Sequence, residues 1–231
     1  MNCLILAGGK GTRLKKVLPD TPKILAPVKN KSFLFYKLRQ LISYGIKDIT
    51  LLLKYQANQI IDEIENEKLF KGYNIDWVIE TEYLDTGGSI AHAVNKKGIK
   101  GDFIVMNGDT WLDFDYRGFI NKNSPCIAIK YLDNLSRFGF VEINDSKIIR
   151  FVEKLHNIND GWINAGIYKF NHSLFKGWDG KPFSLEKKML NKLSENKKLT
   201  YFKVNGTFID IGIPQDYEYF KKFVNKKNEF K

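Results

Sequence analysis

The sequence predicts an α/β fold, a mostly parallel sheet covered by helices on both faces, and three observations carry that prediction. Apolar runs of strand length alternate with stretches of helical periodicity through the first half of the chain. The first run, Asn2 to Ala7, opens directly into a glycine-rich segment, Gly8-Gly9-Lys10-Gly11-Thr12-Arg13. The chain has 231 residues, 43% of them hydrophobic, enough for one sizeable core, so a single domain over residues 1–231 is expected.

Each element follows from its local pattern. Phe33, Leu34, Leu38, Leu41 and Ile42 share one helical face, and Gly45 just beyond them is a stop signal. Asp48 to Leu53 reads as a strand, Ile60, Ile61 and Ile64 restore helical spacing, and Ile75 to Ile79 is a further strand. A helix from near Gly88 and a strand from Asp102 to Met106 complete the alternation. Beyond Ser124 the segments become consecutively β-rich: Cys126 to Tyr131, Phe138 to Ile143, Lys147 to Val152 and Trp162 to Phe170. These either extend the sheet or form a lid beside it. A helix from about Ser184 to Leu193, strands at Leu199 to Val204 and Thr207 to Ile211, and a helix opened by Pro214 end the chain, proline suiting a first helical turn.

Composition narrows the classes. The early apolar run, Cys3 to Ala7, is far shorter than the roughly 18 residues a membrane span needs, and no signal-peptide cleavage pattern follows it. A cytoplasmic protein without a membrane partner is expected. Cys3 and Cys126 lie in apolar runs with no metal-type spacing, so both are read as reduced core residues. The excess of 37 Lys+Arg over 26 Asp+Glu, a net charge of +11, raises the question of nucleic acid. The lysines are scattered in pairs such as Lys187-Lys188 and Lys221-Lys222, with no arginine-rich tract, which fits a solvated basic surface attractive to phosphorylated substrates. No nucleic-acid partner is expected. His92, His156 and His172 are isolated, and Trp111, Trp162 and Trp178 are read as packing residues.

Glycines after a strand let backbone N–H groups approach phosphate oxygens, because no Cβ intervenes. The dinucleotide fingerprint fails, since Gly9-Lys10-Gly11-Thr12-Arg13-Leu14 has leucine where the third glycine belongs, and the Walker A spacing is absent. What remains is Leu6-Ala7-Gly8-Gly9-Lys10-Gly11-Thr12-Arg13-Leu14, then Pro22-Lys23. This resembles the signature of the sugar-1-phosphate nucleotidyltransferases. Further matches are Glu80 through Gly88, with Asp85 where glycine is usual, then Asn107-Gly108-Asp109, Glu153-Lys154, Asn164-Ala165-Gly166 and Phe208-Ile209-Asp210-Ile211-Gly212. The resemblance spans Asn2 to Asp216 and implies a Rossmann-like fold of nucleotidyltransferase type with an added β-rich sugar-binding part. Residues 1–123 would be the nucleotide-binding half and 124–231 the sugar-phosphate-binding half.

The reaction implied is attack by a sugar-phosphate oxygen on the α-phosphorus of a nucleoside triphosphate. Two anions must meet, which calls for fixed positive groups and a hard divalent cation. Asp109 and Asp210 are assigned Mg²⁺, Arg13 the β- and γ-phosphates and Lys23 the α-phosphate. These four form the catalytic set. Leu6, Ala7, Gly8, Gly9, Gly11, Thr12, Glu80, Thr86, Gly87 and Gly88 join Arg13, Lys23 and Asp109 around the nucleotide. Gly139, Glu153, Lys154, Asn164 and Gly166 are assigned to the sugar phosphate. The resemblance implies guanine as the base, and Glu80 agrees with it, because an acceptor-only carboxylate can take both N1–H and the N2 amino group.

Within the family, PKILAPV, the Phe33-Leu34 helix start and TGGSIAHA most resemble the D-glycero-D-manno-heptose 1-phosphate guanylyltransferases. The expected reaction is then GMP transfer from GTP to that heptose 1-phosphate, giving GDP-heptose for surface polysaccharide synthesis. A homodimer is compatible with it, and no C-terminal β-helix or acyltransferase domain is expected. The alternatives are a mannose-1-phosphate guanylyltransferase, a dTTP- or UTP-dependent hexose-1-phosphate nucleotidyltransferase, and a phosphate- or RNA-binding protein without catalysis. The last gives no reason for Asp109 and Asp210, since carboxylates repel phosphate unless a cation lies between them.

Overall fold

The computed structural model describes residues 1–135, 138, 140–152 and 160–227. Strand β1 (Asn2–Leu6) leads through the loop and a small ribbon, β2 (Pro27–Val28) and β3 (Lys31–Ser32), into helix α1 (Phe33–Ser43). Next come β4 (Asp48–Leu53), α2 (Ala57–Asn66), β5 (Asn74–Ile79), α3 (Asp85–Lys96), β6 (Asp102–Asn107), β7 (Thr110–Leu112) and α4 (Tyr116–Ile120). The remainder comprises β8 (Cys126–Leu132), β9 (Phe140–Asn144), β10 (Lys147–Val152), β11 (Gly161–Asn171), α5 (Asn191–Glu195), β12 (Thr200–Val204), β13 (Phe208–Asp210) and α6 (Pro214–Lys226).

Nine of these strands form one sheet in the order β5-β4-β1-β6-β11-β8-β12-β10-β9. β5, β4, β1 and β6 run parallel, β11 is antiparallel to both its neighbours, and β12 is parallel to β8. The β-rich segments beyond Ser124 therefore extend the sheet, and they do so with mixed polarity. From β1 the chain places β4 and then β5 on one side, then returns to put β6 on the other. Strand order reverses between β1 and β6, and a ligand crevice opens at the carboxyl ends of strands at such a point. Leu6 and Asn107 are paired in register there, so the glycine loop and the Gly108-Asp109 turn leave the sheet side by side.

Alternation along the central strands builds two apolar layers. Cys3, Ile5, Ile104 and Met106 pack with α1, α2 and α6, while Leu4, Phe103 and Val105 pack with α3 and with Leu185 and Leu190. Of the α1 face predicted from spacing, Phe33, Leu34, Leu38 and Leu41 are buried and Ile42 is half-buried against the same core. Ser32 caps it by accepting from Phe35 N at 3.2 Å, and Phe33 meets Phe220 of α6 with ring centroids 4.7 Å apart. Each such side chain contributes about 1.5–3 kcal/mol by leaving water. Cys3 and Cys126 are free and buried. No described helix is long and apolar enough to cross a membrane.

Three local differences from the sequence reading have physical causes. Helix α3 starts at Asp85, three residues before Gly88, because the Asp85 backbone takes a left-handed conformation (φ 58°) and its carboxylate accepts from Thr86 N at 2.7 Å. The position suits the glycine expected there, and aspartate is among the residues that tolerate it. The stretch from Ser184 is a π-helical turn, Leu185–Leu190, which then tightens into α5. β2, β3, β7 and α4 span five residues at most, too short to show a period.

Candidate active site

The glycine loop and the Gly108-Asp109 turn enclose a cavity of about 250 Å³ lined by Leu6, Ala7, Gly9, Gly11, Thr12, Arg13, Lys23, Ile24, Gly108, Asp109 and Gly212. Close approach requires glycine at two of these places. A Cβ on Gly11, itself at φ 58°, would stand 2.9 Å from Lys23 Cβ, and one on Gly108 would stand 2.5 Å from the Leu6 carbonyl oxygen that accepts Gly108 N at 2.8 Å. The sequence thus folds the loop down onto Lys23 and seals the end of β6 against β1. Arg13 and Thr12 stand exposed at the rim, and Lys23, placed by Pro22 at the start of a 3-10 turn, points inward with its side chain 13% exposed.

Lys23 Nζ lies 2.5 Å from Asp109 Oδ2 and 3.6 Å from Asp210 Oδ1. Two carboxylates remote in sequence therefore converge on one cation position. The ribbon of β7 and β13 brings them there: Asp210 pairs with Thr110, and Ile211 N donates to Asp109 O at 3.0 Å. Gly212 N fixes the Asp210 carboxylate through a 2.8 Å bond to Oδ1. Burial pushes the Asp109 carboxyl up, but the ammonium groups of Lys23 and Lys37 outweigh it and hold the group below the usual carboxylate range. Asp109 is thus an anion at neutral pH.

A second cavity, about 330 Å³, shares Leu6, Gly9 and Asp109 with the first and is lined further by Gly8, Lys54, Glu80, Tyr83, Asp85, Thr86, Ser89, Asn107 and Glu186. Glu80 follows β5, where its N–H bonds the Leu53 carbonyl at 2.9 Å, and it lines this second cavity whereas Arg13 lines the first. Thr86 lines this cavity, but its hydroxyl is committed to Glu186 Oε2 at 3.0 Å and to Leu185 N at 2.8 Å.

Other expected site residues stand back from both cavities. Gly87 N and Gly88 N donate to the Phe183 carbonyl at 2.9 and 3.2 Å, joining α3 to the π-helical turn. Asn164 spends its side chain on the β-bulge of β11, donating to Tyr168 Oη at 2.9 Å and accepting from Gly166 N at 3.0 Å. Gly166 packs against Asn107, which does line the second cavity. Gly139, Glu153 and Lys154 lie outside the described residues.

The sequence reading missed Lys54, Tyr83, Ser89 and Glu186. Lys54 directly follows β4, and the carboxyl end of a parallel strand was a legible signal for it. Its ammonium lies 5.6 Å from the centre of the Tyr83 ring. Glu186 sits in the π-helical turn, a geometry that often marks functional positions but leaves no trace in hydrophobic spacing.

Residues 2–227 match the Nucleotidyl transferase family, so the chain belongs to it and is a nucleotidyltransferase. It is 35% identical over 227 residues to the D-glycero-alpha-D-manno-heptose 1-phosphate guanylyltransferase of Campylobacter jejuni, covering 95% of this chain and 98% of that one. The enzyme of the same name from Aneurinibacillus thermoaerophilus is also 35% identical, over 94% of this chain and 95% of its own. The crystal structure of HddC from Yersinia pseudotuberculosis complexed with GMP-PN superposes with a TM-score of 0.83 at 34% identity, covering 96% of this chain and 98% of that one.

Proposed function

We propose that this nucleotidyltransferase moves GMP from GTP onto D-glycero-α-D-manno-heptose 1-phosphate, giving GDP-heptose and pyrophosphate for surface polysaccharide synthesis. The observation that carries the reaction type is the convergence of Asp109 and Asp210 on one cation position beside a glycine-lined cavity rimmed by Arg13. Glu80 in the adjoining cavity and the similarity to guanylyltransferases support guanine.

In this reading a phosphate oxygen of the sugar phosphate attacks the α-phosphorus and forms the new P–O bond. The bond from the α-phosphorus to its bridging oxygen breaks, and pyrophosphate leaves with the electron pair. No general base is needed, because the attacking phosphate is already an anion. Arg13 binds the β- and γ-phosphates with its planar fork, and Lys23 balances charge at the α-phosphate. Lys154 and Glu153 hold the sugar phosphate and sugar hydroxyls.

The donor set fits Mg²⁺. Two hard carboxylate oxygens converge on a point where a cation, the Lys23 ammonium, already sits 2.5 and 3.6 Å away. Mg²⁺ typically takes one or two carboxylates and completes its shell with phosphate and water. Asp109 and Asp210 would hold it, and its chemistry there is neutralisation of the phosphate charge that develops during transfer.

The test is pyrophosphate release with magnesium, over a panel of GTP, ATP, CTP, UTP and dTTP against heptose, mannose and glucose 1-phosphates, with products weighed by mass spectrometry. GTP with the heptose 1-phosphate is expected to be fastest. Equal rates with GTP and dTTP would defeat the base assignment, and a higher kcat/KM with mannose 1-phosphate would replace the heptose.

A further inference from the structure

Helix α1 carries two polar side chains into the apolar core, Lys37 and Gln40, 1% and 8% exposed. They sit three residues apart on one face and both reach β7. Lys37 Nζ donates to the Thr110 carbonyl at 2.6 Å and Gln40 Nε2 to the Leu112 carbonyl at 3.0 Å, while Gln40 Oε1 accepts from Tyr116 Oη at 3.1 Å. A neutral amide is sufficient to hold a strand edge, and Gln40 does so. An ammonium in the same setting needs another reason, because burying a charge carries a desolvation penalty of several kcal/mol.

The charged groups that bear on Lys37 identify that reason. Burial lowers its pKa to about 8, so it remains largely protonated at neutral pH. Its two electrostatic neighbours are Cys3 and Asp109. Burial pushes the Cys3 thiol up to about 12, which leaves it neutral, so Asp109 is the anion that answers the Lys37 charge. Asp109 then has Lys23 on the cavity side at 2.5 Å and Lys37 on the core side, through the residue that follows it. Thr110 is also the register partner of Asp210, so the bond from Lys37 restrains the strand against which the second carboxylate is placed.

We propose that Lys37 is a positioning residue for nucleotidyl transfer: from behind the site its ammonium grips the Thr110 carbonyl and attracts the Asp109 carboxylate, keeping both acidic side chains converged on the Lys23 position beside the cavity. The inference rests on the role proposed above for Asp109. It touches neither substrate, so it acts on the geometry of the reacting centre and leaves binding alone. A misplacement of about 1 Å at such a centre can cost on the order of a hundredfold in rate.

The experiment compares Lys37→Met, which keeps the volume and removes the charge, with Gln40→Met, which removes a neutral bond to the same strand. Folding is checked by near-UV circular dichroism and thermal unfolding, GTP affinity by calorimetry without divalent cation, and kcat and both KM values by pyrophosphate release. Lys37→Met is expected to fold with a lowered Tm, because the Thr110 carbonyl loses its donor, to bind GTP within about twofold of the parent, and to lose about tenfold or more in kcat with each KM changed less than about threefold. Gln40→Met is expected to stay within about threefold in kcat. Should the methionine variant not fold, Lys37→Gln serves the same comparison and loses at least about fivefold in kcat. Parent-like kcat in a folded Lys37 variant overturns the proposal, as does an equal loss in the Lys37 and Gln40 variants, which would reduce both to strand support. Asp109→Asn run alongside separates the two readings. If it is inactive while Lys37→Met is not, the positioning role alone fails, and if it is active the carboxylate reading beneath it fails.

Discussion

At the scale of single residues, the site is a balance of charges held at short range. Asp109 and Asp210 share Lys23, and replacing either acid by its amide removes a hard anionic oxygen while keeping the shape of the side chain. Asp109→Asn and Asp210→Asn are each expected to keep the parent circular dichroism and to lose on the order of a hundredfold or more in kcat. Parent-like turnover at limiting magnesium in either variant would remove that residue from the proposed Mg²⁺ site. Glu80 supplies the second residue-level expectation. Glu80→Gln replaces an acceptor-only group by a mixed donor and acceptor, so GTP use should weaken by roughly 1–3 kcal/mol in kcat/KM and the gap to dTTP should narrow. An unchanged preference ratio would place guanine recognition elsewhere. Asp85 shows how a residue can depart from a family pattern without loss of geometry, since it adopts the left-handed backbone itself and satisfies the Thr86 amide that follows.

At the scale of elements, the ribbon of β7 and β13 is what makes two distant aspartates neighbours. Its far end is closed by Asp113 N donating to the Thr207 carbonyl at 2.9 Å, and there Gly206 runs against the chain: an added Cβ would fall 1.4 Å from the Asp113 carbonyl oxygen. Backbone cannot yield as a flexible side chain can. Gly206→Ala should therefore cost about 1–3 kcal/mol in urea unfolding and shift β13, so that kcat falls with Asp210 chemically intact. A parent-like rate would show that the ribbon tolerates splaying without moving the acid. The π-helical turn and the residues that lead into it play a like part at the second cavity. Through the Phe183 carbonyl they tie down the first turn of α3, and through Glu186 they add a carboxylate to the second cavity.

At the scale of the whole molecule, the sheet runs unbroken from the first half of the chain into the second, because β11 inserts between β6 and β8. We propose that residues 1–231 unfold as one cooperative unit. That join is pinned by Asp102, which accepts from Ser124 Oγ at 2.9 Å and Asn171 Nδ2 at 2.7 Å and lies 3.1 Å from Lys169 Nζ. Burial pushes its pKa up, but those donors outweigh burial and hold it below the usual range, and Lys31 does the same for Glu67. A depressed carboxyl stabilises the fold above its unfolded pKa of about 4 and loses that contribution as pH falls through the folded value. Urea unfolding followed by tryptophan fluorescence and circular dichroism should thus give coincident transitions, with stability declining below about pH 4. Asp102→Asn should be less stable by about 1–3 kcal/mol at pH 7, with the difference shrinking below about pH 4 as the carboxyl is protonated. A gap that persists in acid would mean that shape, and not charge, holds the join.

The sequence by itself determined the alternation of strands and helices in the first half, the glycine loop with Arg13 and Lys23, and the chemical types of Asp109, Asp210 and Glu80. Those signals are local: a period of apolar residues, a missing Cβ, a carboxylate at a strand end. Tertiary structure alone decided that the later strands extend the sheet, that Asp109 and Asp210 meet across a three-residue ribbon, that Gly87, Gly88 and Asn164 spend their polar groups on scaffold bonds, and that Lys37 lies behind Asp109. Each of those depends on pairing between segments far apart in the chain, where one residue's partner is set by the register of another strand. A lysine in the middle of an apolar helix face reads as an interruption until the strand that needs its charge is seen beside it.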